Sequence, residues 1–471
     1  MPQSGSLIRM RQLIAILPLT LSLTVQAEDR YHVKFEPGLG SVSVEACFDG
    51  APPPSLYRHG ESWRFTENVR GMDGLSSRGV RPGHLKLSGL SADSCVKWKV
   101  NLNEALAENN HRLALKLNGA VLSDADLWFW RDTERRPIRV ELELPPGMSV
   151  STPWKEQTGK EGMVFRPERT PASWSSRIAV GELNMQNIAV RGAQLRLAVV
   201  GQVSDSQLSV FGQWMQEAAE CVASVEGSFP QPLAQILVVA IGKQNEAVPW
   251  AHVMRGGGVA AEFFVDENRS LEEFRADWTA THELSHMLLP MVSSRDRWLS
   301  EGLASYYQNV LRGRDGRLEE VAAWRKLHAG FERGKHATNG DSLAEATRSG
   351  WGSIMRIYWS GAAMFLKADA RLRILSGGAQ SLDTVLSAFQ ACCLDASRSW
   401  RGRELFAAFD RISGYSVFTE LYDEHVPDGE FPDLAETYAQ LGLVPGTQTI
   451  ELDPEAPQSK VRVDIMRGSS P

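Results

Sequence analysis

At about residue 204 the spacing of apolar residues along this 471-residue chain changes, and the change limits what each part can fold into. From Glu28 to about Gly201, short segments such as YHVKF, SVSVEACF, RLALKLNG, IRVELEL and AQLRLAVV alternate apolar and polar residues between Gly, Pro, Asn and Asp turns. A period of two puts one face of a strand inside, so residues 28–204 are expected to form a β-sandwich-like domain. Aromatic residues in strands are mostly core residues, and Trp128, Phe129 and Trp130 are assigned to the interior. Beyond Ser204, SQLSVFGQWMQEAAECVASV has helical spacing, ILVVAIG reads as a buried strand, and RGGGVAAEFFVD reads as a second strand entered through three glycines. The remainder is mostly helical, so the expected fold class is α+β, with 205–450 as one unit and 451–471 as a loose tail.

Residues 1–27 have the features of an export signal. Arg9 and Arg11 precede the apolar run LIAILPLTLSLTV, and Val25 and Ala27 put small residues where a signal peptidase reads. Cleavage before Glu28 and a periplasmic or secreted location are expected. No later stretch approaches the roughly 20 apolar residues that a membrane span needs. A net charge of -7, with no long Lys/Arg run, gives no electrostatic footprint for nucleic acid or an anionic membrane. In an oxidising compartment Cys47 can pair with Cys95, and Cys221 with Cys392 or Cys393, leaving one thiol free. None of the five cysteines stands in a CxxC spacing, so thiolate metal binding is not expected.

The residues with chemistry to offer concentrate at THELSHMLLP, residues 281–290. A single helix is expected over LEEFRADWTATHELSHMLL, with Phe274, Trp278, His282 and His286 four apart on its inward stripe and Pro290 ending it. Imidazoles at i and i+4 can both reach one tetrahedral Zn²⁺ at about 2.0–2.1 Å. Glu283, rotated about 100° from His282, is placed to act on a water at the metal rather than to bind the metal. With fourteen residues between it and His286, Glu301 in DRWLSEGLASYYQ offers a third ligand from a second helix, with Gly302 and Ala304 beside it where two helices must approach closely. Two histidines and one carboxylate leave a fourth position open, which marks a catalytic rather than a structural zinc. Ser305 carries no carboxylate, so an acidic partner for the histidines is expected from elsewhere in the chain.

HELSH followed by WLSEGLASYY resembles the glutamate-zincin metallopeptidases, which include the aminopeptidase N-like and glycyl aminopeptidase-like enzymes. The resemblance implies a thermolysin-like zinc peptidase domain over 205–450 with a mostly helical C-terminal part. It implies one Zn²⁺ on His282, His286 and Glu301, Glu283 as general base, and a peptide or protein as substrate. YWSGAAMFLKADARLRILSGGAQSLDTVL is similar to the glycyl aminopeptidase-like pattern in which a tyrosine stands three residues before a glycine. Tyr358, with Gly361 as its companion, would then donate its phenol proton to the oxyanion of the tetrahedral intermediate.

Two features depart from that pattern. The connection from His286 to Glu301 is shorter than in the aminopeptidase N-like enzymes. Those enzymes also hold the substrate's free amine with a glutamate in a Gly-Ala-Met-Glu-Asn strand, where this chain reads RGGGVAAEFFVDEN. The glycines suit an edge strand that pairs with an extended peptide, and Glu262 is the nearby acid at a different offset. The reading is an exported zinc peptidase, with aminopeptidase action as one form of it. The alternatives are a non-catalytic exported module that holds a peptide or protein on the same fold, and a zinc hydrolase of non-peptide amides or esters.

Overall fold

The computed structural model describes residues 28–468 except 72–79, 134, 158–161, 172, 395–396 and 447–448. The expected export signal therefore lies outside the described residues. The fold is α+β. In the first part, a seven-stranded sheet has strands Asp29–Phe35 and Ile138–Glu143 side by side at its middle, and these two pair in parallel. A four-stranded sheet that includes Ala120–Asp124 and Arg177–Gly181 faces the same core, which joins Val33, Val44 and Val140 to Val121, Ile178 and Val180. Trp128, Phe129 and Trp130 are in that core, each at most 1% exposed, because the short apolar strands need large side chains to fill the space between sheets. Cys47 and Cys95 stand opposite each other on neighbouring strands and are bonded.

The second part is built on a five-stranded sheet. Its strands are β1 (Asn184–Val190), β2 (Ala193–Val200), β3 (Leu233–Ala240), β4 (Trp250–Met254) and β5 (Ala260–Val265), in the spatial order β1-β2-β3-β5-β4. The expected boundary at 204 falls between β2 and helix α1 (Asp205–Ala223), so two strands that precede it belong to the sheet that follows it. β2 and β3 are apolar on both faces, as parallel strands covered on both sides must be. One face turns Ala198, Val200, Leu237 and Val239 onto Ala120, Leu122 and Ala179 of the four-stranded sheet, and the two parts of the chain share this cluster.

The strand entered through three glycines is not an edge strand. β5 lies between β3 and β4, and β4 is the edge, paired antiparallel to β5 with His252 opposite Glu262. Gly256, Gly257 and Gly258 form the turn between β4 and β5, pressed against the N-terminal part. A Cβ on Gly256 would sit 2.5 Å from the Trp174 carbonyl oxygen, and one on Gly257 2.7 Å from the Trp154 indole nitrogen. The glycines serve that close approach rather than a peptide.

The expected single helix around HELSH is also divided. Helix α2 (Leu271–Ala276) ends at Asp277, whose extended backbone breaks the turn and whose carboxylate accepts from the Thr279 N–H at 2.7 Å. Helix α3 (Thr279–Ser285) then starts afresh, with residues His286–Leu288 as a 3-10 turn. A short side chain that bonds to a nearby backbone N–H competes with helix continuation. As a result Trp278 leaves the inward stripe and is 44% exposed, while Phe274 and His282 stay buried.

Helix α4 (Arg297–Arg314) carries Glu301 across α3, and α5 (Glu320–His336) and α6 (Ile354–Leu375) complete the layer. Helix α7 (Leu382–Cys393) follows later in the chain, and the tail expected to be loose instead forms helix α8 (Ser459–Arg467). Its Val461, Ile465 and Met466 are buried in the same core as α4 and α6, and that burial outweighs the polar start of the segment. The expected pairing of Cys221 is not formed. Cys392 and Cys393 are bonded to each other at the end of α7, and Cys221 keeps a buried thiol, pushed up by burial and by the Asp315 carboxylate.

A cavity of about 1400 Å³ opens where α1, α4 and α7 end, lined by Cys221, Glu226, Arg314 and Asp383 among others. Arg314 is thirteen residues beyond Glu301, about 20 Å along the helix, so this cavity is remote from the histidines. Neither carboxylate oxygen of Glu226 has a hydrogen-bond partner. Burial, helped by the Asp383 charge, pushes this group up from 4.5 to about 8. The folded chain therefore keeps a proton there that the unfolded chain has released. That contribution to stability is fully present below the unfolded value of 4.5 and is lost as the pH rises through 8. Glu226→Gln is expected to leave Tm little changed at about pH 5 and to add roughly 1–2 kcal/mol at about pH 9, read from thermal melts at the two pH values.

Candidate metal and active site

His282 and His286 face each other at the end of α3, with ring centroids 4.9 Å apart. Their Nε2 atoms lie 3.4 and 3.5 Å from the same Glu301 oxygen, Oε2. A tetrahedral ion with bonds of about 2.0–2.1 Å separates its ligand atoms by about 3.3 Å, so this spacing fits Zn²⁺. Among the described residues the three donor atoms form one of two groups close enough to share an ion, and the other contains the bonded Cys47 and Cys95. Oε2 of Glu301 is buried and has no hydrogen-bond partner. An orphaned carboxylate oxygen facing two free imidazole nitrogens is the arrangement that a cation satisfies.

The outer nitrogens of both rings are engaged. His282 Nδ1 is 2.7 Å from the Gln308 side-chain oxygen, and His286 Nδ1 is 2.9 Å from Ser300 Oγ. The acidic partner expected for the histidines is thus absent from these contacts; an amide and a hydroxyl take its place and leave Nε2 of each ring facing Glu301. Gln308 stands two turns beyond Glu301 on the same face of α4, which the spacing of seven could have revealed. Ser300 adjoins Glu301 and carries no comparable signal. Arg255, also unmarked in the sequence, donates to the carbonyls of His286 and Leu289 at 2.7 and 2.8 Å and so ties off the end of the segment that carries both histidines.

The electrostatics follow from burial and these contacts. Glu283 is 8% exposed. Burial pushes its carboxyl up to about 7, with the Glu301 charge adding to this and His282 opposing it. A carboxyl poised there can both accept and return a proton near neutral pH. Burial would also raise Glu301, but His286, His282 and the Tyr358 hydroxyl together hold it well below the usual carboxylate range. Burial lowers His286 to about 4, which keeps the ring neutral as a ligand must be. For His282 burial acts downward but is outweighed by Glu301 and Glu283.

Tyr358 comes from the start of the second turn of α6. Its ring is stacked on His282, 5.7 Å between centroids and 8° from parallel, and its phenol feels the Glu301 carboxylate. Burial and the two glutamates push the phenol well above its ordinary value, so it stays protonated as a donor. What brings it there is the crossing of α4 and α6. A Cβ on Gly302 would lie 2.5 Å from the Gly361 backbone, and one on Gly361 would strike the Trp298 carbonyl. His282, His286, Glu301 and Tyr358 therefore meet in one place, and Glu283 follows His282 directly in the chain.

Glu262 does not meet them. It is fully buried on β5, 3.2 Å from Arg177 and 3.6 Å from His252, with Arg177 as its compensating charge. The edge strand β4 reads Trp-Ala-His-Val-Met and holds no carboxylate.

No family model and no curated protein matches the sequence. Solved structures do. An aminopeptidase N family protein from Idiomarina loihiensis superposes with a TM-score of 0.68 at 13% identity, over 88% of this chain and 78% of that one. An M1 zinc metallopeptidase from Deinococcus radiodurans gives 0.57 at 14% identity, over 87% and 95%. Yeast LTA4 hydrolase in complex with bestatin gives 0.54 at 14%, over 88% and 71%. With the α+β layers, the crossed helices and the two-histidine, one-glutamate cluster in view, this chain has the fold of the M1 zinc metallopeptidases.

Proposed function

We propose that this protein is an exported zinc-dependent peptidase that binds one ion on His282, His286 and Glu301. The observation that carries the reading is the retention of two groups that metal binding alone does not need, Glu283 and Tyr358, at the edge of a three-ligand site. A zinc ion held there supplies a Lewis acid that polarises the scissile carbonyl and makes water acidic enough to be deprotonated near neutral pH. Glu283 accepts that proton and then delivers it to the leaving amine. Tyr358, fixed against His282, donates a hydrogen bond to the oxygen that gains charge as the carbonyl carbon becomes tetrahedral. Gln308, Ser300 and Arg255 keep the two imidazoles and their backbone from turning. A module that only held peptides would have no physical need of a buried base with this proton affinity.

The acid that captures a free amine in aminopeptidase N-like enzymes is supplied here neither by Glu262, which is consumed by Arg177, nor by the edge strand β4, which holds no carboxylate. The test is cleavage of a peptide library with free and acetylated N-termini by protein loaded with zinc. New amino groups should appear with both sets and stop on chelation. A zinc-loaded protein that cuts neither set would sink the peptidase reading, and cleavage of free N-termini alone would restore the aminopeptidase form.

A further inference from the structure

Arg297 is the first residue of α4, one turn before Glu301 and on the same face of the helix. A cation at a helix N-terminus faces the positive end of the macrodipole, which disfavours it. Two of its guanidinium nitrogens, Nε and Nη2, are sealed from solvent and have no hydrogen-bond partner. Among the described residues no carboxylate lies within ion-pair distance of it. Glu301, the usual partner at that spacing, is already committed to His282, His286 and Tyr358. The Arg297 charge nevertheless acts at the Tyr358 phenol, where it opposes the two glutamates. An unpaired guanidinium thus starts the helix one turn before Glu301, in a position that folding alone does not favour.

On the other side of the sheet edge the pattern is the reverse of what an ammonium group requires. β4 carries no acid, and the nearest carboxylate, Glu262, is neutralised by Arg177. From the unpaired arginine one helical turn before Glu301 and this missing acid, we infer that the site selects substrates by a carboxylate, with Arg297 as the residue that pairs with it. A guanidinium presents two parallel N–H donors to a carboxylate, a match that a neutral amide cannot reproduce. The carboxylate belongs either to a peptide C-terminus or to a Glu or Asp side chain close to the cleaved bond. This inference rests on the peptidase reading for the position of the substrate but not for its test.

The test is binding, measured by calorimetry on zinc-loaded protein carrying Glu283→Gln so that nothing is consumed. Three peptides of one sequence are compared: a free C-terminus, an amidated C-terminus, and an amidated C-terminus with one Gln replaced by Glu. At least one carboxylate peptide should bind roughly 10- to 100-fold more tightly than the neutral amide, the size expected of a charge-assisted hydrogen bond. Which of the two gains identifies the source of the carboxylate. Arg297→Met should reduce the advantage to about threefold or less, and Arg297→Lys should keep part of it, because lysine retains the charge but not the fork. Removing an unpaired, half-buried charge should not lower Tm, so loss of discrimination in Arg297→Met cannot be ascribed to unfolding. Equal binding of all three peptides, binding of none, or an advantage that survives Arg297→Met overturns the inference. Turnover by the unmodified protein is read separately: if it is absent while the binding pattern holds, the peptidase reading fails and the carboxylate anchor stands.

Discussion

Glutamine in place of Glu283 is expected to lower turnover by about 100- to 10,000-fold while leaving one zinc bound per chain. The two halves of that result have separate causes. Glutamine keeps the size and shape of glutamate, so the wall of the site and the three ligands are unmoved. It has no basic oxygen, so nothing beside the substrate can take up the proton that the attacking water must lose. The carboxylate is buried and already held near pH 7 by its surroundings, so the variant is relieved of a desolvated group and should melt no lower than the parent. Metal analysis by emission spectroscopy, with single-turnover kinetics on one cleaved peptide, reads both halves. Retained turnover would remove Glu283 from the mechanism, and loss of zinc together with activity would make it a ligand.

The second large effect is expected at a residue that touches neither metal nor substrate. Gly302→Ala adds one methyl group where the α4 and α6 backbones are in contact, and that methyl would lie 2.5 Å from Gly361. Neither backbone can rotate away as a side chain would, so the helices must separate. Overpacking of this kind costs roughly 1–3 kcal/mol. The displacement also carries Tyr358 away from Glu301 and His282, and a shift of about 1 Å in a positioned group can cost about 100-fold in rate. The expected result is a lower Tm and a fall in kcat larger than the lost stability accounts for, with zinc content unchanged because His282, His286 and Glu301 all lie on the α3 and α4 side. A variant with parental kcat would show that the crossing does not position the tyrosine.

The parts of this site that sequence reading reached are those fixed by local spacing. His282 and His286 are one turn apart, Glu283 is next to the first of them, and Glu301 follows at a distance that suits a loop and a crossing helix. The similarity of Tyr358 and Gly361 to a known pattern pointed to the tyrosine that the structure stacks on His282. Errors arose where non-local forces decide. Strand order depends on which edges meet in space, so the glycine-led strand looked like an edge although β4 covers it. The helix break at Asp277 comes from a single carboxylate bonding to Thr279, a contest that apolar spacing does not register. The expected acid behind the histidines was an amide and a hydroxyl, because what the outer nitrogens need is any fixed partner of suitable geometry. Arg297 could not be singled out in the sequence at all: an arginine beside acidic residues looks paired until the surroundings show that it is not.

The turn at Gly256–Gly258 has a consequence for how the two parts of the chain depend on each other. Its amides are taken up from the N-terminal side, by Thr170 Oγ1 on the Gly257 N–H and by the Ser175 carbonyl on the Gly256 N–H. Arg255, the residue before it, grips the backbone of the second histidine. The β-rich part is therefore fastened, through four residues, to the end of the segment that carries both histidines. Loosening it would slacken His286 first, from a distance, and metal affinity becomes a gauge of whether the two parts are docked.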